Sequence, residues 1–119
     1  LVAVLEKKRG VKLFNQDIFV NVAGGVQVDE PAVDLAIVAA VASSYQERPI
    51  DARTVIFGEV GLAGEVRGIA QAEARVKEAG KLGFERAILP SSNTAQLKHV
   101  KTPKLHGVSS VDDCWKILF

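Results

Sequence analysis

Two periods of apolar spacing alternate along the chain, and the switches between them outline short strands set among helices. Leu1 to Arg9 reads as the end of a helix: Leu1, Val4 and Leu5 share one side, three basic residues fill the last turn, and Gly10 stops it. Ile18 to Ala23 reads as a strand in which Ile18, Val20 and Val22 alternate with Phe19, Asn21 and Ala23; Gly24-Gly25 interrupts it and Val26 to Val28 resumes as after a bulge. Asp29 is placed to cap a helix whose early Pro31 is tolerated, because a first-turn N–H has no intrahelical partner anyway. That helix runs to about Ser44 and is apolar on every side from Ala32 to Ala42 except at Asp34, so it belongs in the middle of the domain. At its end, the Ser43 and Ser44 hydroxyls are expected to bond back to carbonyls one turn earlier.

Thr54 to Phe57 is a β-branched and aromatic strand, and Val60 to Leu62 with Glu65-Val66 around Ala63-Gly64 reads as a hairpin. Ala70 to Leu82 is an amphipathic helix with Ala72, Val76 and Ala79 inward, closed by Gly83. Ala87 to Leu89 forms a short strand ended by Pro90, a helix follows from about Ser92 to Lys98, and a further strand lies near Leu105 to Val108. Ser110 and Asp113 have capping-box spacing, with Val111, Cys114, Trp115 and Leu118 as the inward stripe of a terminal helix. Strands and helices therefore intermix, which predicts an α+β or α/β sandwich.

A chain of 119 residues suits one domain. Hydrophobic residues at 48% and charged residues at 24% exclude a disordered or collagen-like chain. The apolar run Leu35 to Ala42 stops far short of a membrane span. The single cysteine, Cys114, makes neither an internal disulfide nor a four-thiolate zinc site, which fits a reducing compartment. No methionine is present and Leu1 falls inside a helical pattern, so the chain is expected to be a piece of a longer protein.

The net charge of +1 hides an asymmetry, with 6 basic and 8 acidic side chains in residues 1–60 against 9 and 6 in residues 61–119. Lys98, Lys101 and Lys104 lie beside His99 and His106 with no acid among them, a patch able to touch phosphates or simply to be solvated. The two histidines are expected as exposed loop residues, without an acidic partner and without metal. The glycines of Gly58 to Gly64 serve turn geometry, since the Gly-Lys-Ser/Thr ending of a phosphate loop is missing.

Glu30-Pro31-Ala32-Val33-Asp34, Arg48-Pro49, the run Gly58-Glu59-Val60-Gly61-Leu62-Ala63-Gly64-Glu65-Val66-Arg67, Ala79 to Phe84 and Ala87-Ile88-Leu89-Pro90 resemble the Lon protease proteolytic domain. More closely they resemble the Lon-like C-terminal domain of the bacterial RadA (Sms) DNA-repair family, to which Asn21-Val22-Ala23-Gly24-Gly25-Val26 is also similar. The resemblance covers nearly the whole chain and implies a Lon-like (ribosomal protein S5 domain 2-like) mixed sheet packed with helices. It implies that residues 1–119 form one Lon-like domain, with residues 1–10 leading from an upstream RecA-like ATPase domain.

In the Lon family a serine and a lysine form the catalytic dyad. By that resemblance the serine position here is Ala32, with no nucleophilic atom, and the lysine position is Glu73, an acid where a neutral amine must take a proton. The chain is therefore expected to have no catalytic residues; the alternative is an ATP-independent Ser/Lys peptidase with a displaced dyad. Similarity to RadA implies a hexameric ring, DNA binding through backbone contacts, and ATP-driven branch migration by the full-length protein. It implies ATP, magnesium and zinc only in upstream parts, none in this chain, and a bacterial cytoplasmic or organellar location with no membrane. The DNA-contact candidates are Arg67, Arg75, Lys77, Lys81, Lys98, Lys101 and Lys104, of which Arg75, Lys77 and Lys81 are expected on the polar face of one helix. Read as bare residues, they are equally a solvated face in which Glu73 and Lys77 pair one turn apart. The Gly58 to Gly68 hairpin is a candidate ring contact or merely closes the fold.

Overall fold

The computed structural model describes residues 31–119. The expected helix over Leu1 to Arg9, the strand over Ile18 to Ala23, the resumed strand over Val26 to Val28 and the Asp29 cap lie outside the described residues.

A single 3₁₀ turn, Pro31–Val33, leads into helix α1, Asp34–Gln46. The long apolar run has the consequence its pattern demands: Leu35, Ile37, Val38, Ala39, Val41 and Ala42 are all buried. Glu47 ends the helix in the left-handed conformation, and the N–H groups of Glu47 and Arg48 close on the carbonyls of Ser44 and Ser43. The Ser43 hydroxyl bonds forward to the Arg48 carbonyl rather than back, because that carbonyl folds over the helix end.

Strands β1 (Thr54–Ile56), β4 (Arg86–Pro90) and β5 (Lys104–Val108) form an all-parallel sheet in the order β1-β4-β5, with Thr54 opposite Arg86 and Arg86 opposite Lys104. Strands β2 (Glu59–Val60) and β3 (Val66–Arg67) pair separately as an antiparallel hairpin. The expected mixed sheet is thus two sheets among the described residues: the hairpin strands turn away from β1 at Gly58 and pair with each other. Helix α2 (Ala72–Lys81) precedes β4, the short helix α3 (Ser91–Thr94) with a 3₁₀ turn links β4 to β5, and α4 (Val111–Leu118) closes the chain. The fold is mixed α+β, with four α-helices among the described residues.

The central strand β4 is buried on both faces, as a parallel strand covered by helices must be. Ile88 joins Ile56 and Val108 under α1 and α4, whereas Leu89 packs with Ala72, Val76 and Leu97 under α2. Ser110 caps α4 by accepting the Asp113 N–H at 3.1 Å; the Asp113 carboxylate returns to the Ser109 N–H at 3.0 Å, one residue earlier than a strict capping box. Val111 and Cys114 are buried as the stripe predicts, whereas Trp115 and Leu118 sit at the margin of the core. Burial pushes the Cys114 thiol up to about 12, which makes it a packing residue and not a nucleophile. Among the described residues, no helix is long and apolar enough to cross a membrane.

Candidate functional site

Two regions hold the candidate residues, and local chain chemistry builds each. The first is a cleft of about 240 Å³ between the 3₁₀ turn, the hairpin and α2, with Pro31, Ala32, Glu59, Gly68 to Ala70 and Arg75 around it. Gly58, next to Glu59 in its wall, joins the hairpin to the helix start behind it. The Gly58 N–H donates to the Ala32 carbonyl at 2.9 Å, and the Gly58 carbonyl accepts from the Leu35 N–H at 2.9 Å. A Cβ at Gly58 would stand 3.0 Å from a Val66 methyl and 3.2 Å from Leu35, so only glycine lets hairpin and helix approach this closely. Asp34 adds a second tie by accepting the Val60 N–H at 3.2 Å. Partial burial raises the Asp34 carboxyl above its ordinary value, the Val60 bond pulls it down, and neighbouring Glu59 raises it further.

Ala32 sits buried in the cleft wall with only a methyl group to offer. Glu73 is not in that wall. It lies on the far side of α2, where one oxygen is 3.6 Å from the Lys77 amine and the other 2.6 Å from His99 Nε2. The α2 side chain that reaches the cleft is Arg75, whose Nε donates to the Ala70 carbonyl at 3.0 Å. A guanidinium stays protonated and cannot act as a base. Helix geometry accounts for the arrangement: Glu73 and Lys77 are one turn apart on one face, and Arg75, two residues from each, falls on another. Arg75 therefore parts from the expected common face with Lys77 and Lys81.

The second region is a seam where α2 meets the loop entering β5. Gly80 makes it possible, since a Cβ there would lie 2.9 Å from the Thr102 carbonyl oxygen. The loop so held carries Lys98 and Lys101, and the His99 contact to Glu73 pins its other end. Exposed Lys77 and Lys81 on α2 border one side of the seam and exposed Lys98 and Lys101 border the other, whereas Lys104 shares the β5 face of His106 and Val108, turned toward α1 and α4. Glu73 is the acid that meets this group, already engaged by Lys77 and His99. Arg67 stands apart on the hairpin, paired with Glu65 at 3.0 Å. Glu65 is held below its ordinary value first by its own backbone N–H and then by Arg67.

The histidines differ from their expected loop settings. His99 has an acidic partner in Glu73, brought by tertiary contact and not by sequence. His106 is a strand residue of β5, opposite Ile88, with a buried and unpartnered Nε2. Burial lowers its basicity, and Arg86 and Lys104 lower it further. Among the described residues, no group of three or more His, Cys, Asp or Glu side chains could hold a metal ion. Reading the chain alone missed Gly80 as the pivot of the seam; a glycine inside a strong helical pattern was the available signal of close approach.

Comparison with known proteins places the chain. Residues 2–93 match the family model described as subunit ChlI of Mg-chelatase. The chain is 47% identical over 117 residues to the DNA repair protein RadA of Halalkalibacterium halodurans, covering 98% of this chain and 26% of that protein. Against the proteins of the same name from Bacillus subtilis and Streptococcus pneumoniae, identity is 50% over 111 residues and 40% over 119. Those alignments take in 93% and 100% of this chain but 24% and 28% of the relatives, so the chain spans about a quarter of the length of the curated relatives it matches. The chain belongs to the family described as subunit ChlI of Mg-chelatase, in the Lon-like branch found in bacterial proteins named DNA repair protein RadA.

Proposed function

We infer that this chain is a non-catalytic, Lon-like domain of a RadA-type DNA repair protein, serving ring assembly and contact with the DNA backbone while an upstream ATPase part supplies energy for branch migration. The reading is supported by two observations together: similarity to RadA proteins runs along the whole chain, and the cleft around Ala32 presents a methyl group, the Glu59 carboxylate and a guanidinium, with no hydroxyl, thiol or amine among them. A Ser/Lys dyad needs a hydroxyl beside a neutral amine, and that lining supplies neither. The name Mg-chelatase describes other members of the family and carries no metal chemistry to these residues.

For DNA, the supporting feature is the lysine seam. Lys77, Lys81, Lys98 and Lys101 border one surface on two elements tied at Gly80 and His99, and Lys104 adds a charge on the other face of β5. Phosphates are recognised by such clusters without reading sequence, and a ring repeats a weak patch so that modest contacts add. Arg67 and Arg75 belong to the hairpin and the cleft, where they order the chain. ATP, magnesium and zinc belong to upstream parts of a longer protein in a bacterial cytoplasm.

The test is fluorescence anisotropy of a labelled branched DNA with the 119-residue chain over a salt series, with light scattering on the same samples. A DNA affinity that falls steeply with salt, together with a mass above one copy, is the expected result. A monomer that ignores DNA at low salt overturns the reading.

A further inference from the structure

The hairpin carries an apolar side chain that the described residues do not cover. Leu62, at the tip between β2 and β3, is 83% exposed. The tip is braced: the Gly61 N–H donates to the Glu65 carbonyl at 2.9 Å, the Gly64 N–H to the Gly61 carbonyl at 2.9 Å, and the Ala63 N–H to the Glu65 carboxylate at 3.1 Å. An apolar group held out on an ordered turn is preorganised for docking, because little entropy remains to be lost.

A matching depression lies elsewhere on the chain. Val55, Phe57, Ala79, Leu82 and Phe84 wall an open groove of about 300 Å³, and Leu82 on its rim is 69% exposed. The groove has room for a leucine side chain. The two surfaces sit on opposite faces of the parallel sheet: Val60 and Val66 of the hairpin pack with the cluster under α1 and α4, whereas Phe57 of the groove packs with Ala72, Val76 and Leu89 under α2. The hairpin tip is tied to the C-terminal end of β5, where the Val111 N–H donates to the Gly64 carbonyl and the Val66 N–H to the Ser109 carbonyl, each at 2.9 Å. The groove lies beside α2 along β1, from Val55 and Phe57 to Leu82 and Phe84. Among the described residues, knob and hole so placed do not meet within one copy. Charge does not oppose their meeting between chains: Arg75 and Glu78 flank the groove, and Glu65 and Arg67 flank the knob, so each side carries both signs.

We propose that Leu62 of one copy seats in the Val55–Phe57–Leu82–Phe84 groove of a second copy, making a head-to-tail contact. The proposal rests on the assembly reading above and names the surfaces that carry it. Two different patches in contact make a heterologous interface, which propagates into a ring when its rotation closes.

Sedimentation velocity of the 119-residue chain, up to about 1 mM so that weak contacts register, tests it through Leu62→Asp and Leu82→Asp. Both positions are exposed, so unchanged circular dichroism is expected for each. Each variant alone weakens self-association about tenfold or more. The decisive sample is the mixture: Leu62→Asp keeps its groove and Leu82→Asp keeps its knob, so together they form dimers that grow no further. Variants that keep the wild-type mass, or a mixture that stays monomeric, overturn the contact and leave assembly through other surfaces standing. A wild-type chain that is monomeric throughout overturns the contact and the assembly reading together.

Discussion

The cleft at Ala32 and the seam at Gly80 are both places where a glycine lets two elements touch, yet they hold opposite kinds of side chain. At the cleft, Gly58 admits backbone against backbone, and the groups that remain are a methyl, a carboxylate and a guanidinium bonded to a carbonyl. At the seam, Gly80 admits a loop against a helix, and lysines are left standing on both banks. The same device thus builds a closed structural joint in one place and an open cationic surface in the other. What separates them is where the charged side chains point.

The comparison predicts that damage at the joint shows in stability, and damage at the seam in ligand affinity. The largest effect is expected for Gly58→Val, which forces side-chain atoms against Val66 and Leu35 and costs about 2–3 kcal/mol by overpacking; urea unfolding followed by circular dichroism measures it, and an unchanged midpoint would show that the joint yields. Next, combining Lys77→Glu, Lys81→Glu, Lys98→Glu and Lys101→Glu lowers DNA affinity about tenfold to a hundredfold at low salt and flattens its salt slope by about three to four. The paired control Arg67→Gln, at the hairpin, leaves DNA affinity within about twofold; equal losses for both sets would dissolve the distinction between hairpin and seam.

A smaller effect concerns pH. The folded chain holds His106 neutral more strongly than the unfolded chain does, so below the ordinary value of 6.5 the unfolded state takes up the proton first. His106 therefore stabilises the fold above that pH, and the contribution is lost as pH falls through the depressed folded value. His106→Gln should shrink the drop in melting temperature between neutral and mildly acidic buffer, measured by scanning calorimetry. The smallest expected effect is none: Ala32→Ser adds a hydroxyl to the cleft, but no lysine amine lines it to complete a Ser/Lys dyad, and digestion of an unfolded protein substrate followed by gel stays at background.

Much of the fold was written in local pattern. The apolar run of α1, the Ala72, Val76 and Ala79 stripe of α2 and the Ser110 cap are each set by neighbours within a turn or two, so the chain alone specifies them. The family resemblance was legible in the same way, because the motif from Gly58 to Arg67 is continuous. The site was less legible. Counting along the chain puts Glu73 at the lysine position, but only the packing of α2 turns Glu73 toward His99 and Arg75 toward Ala32.

By itself, then, the sequence determined the helices, the strands and the hairpin turn of residues 31–119 and the lack of a hydroxyl at Ala32, since each depends on residue identity or near neighbours. Tertiary structure decided which face of α2 meets the cleft, that Lys77 and Lys81 lie across from Lys98 and Lys101, and that His106 has a buried nitrogen. Those outcomes depend on contacts between residues 20 or more apart in the chain, such as Gly80 on Thr102 and Glu73 on His99. Such contacts follow from the way the helices cover the sheet, which no local period records.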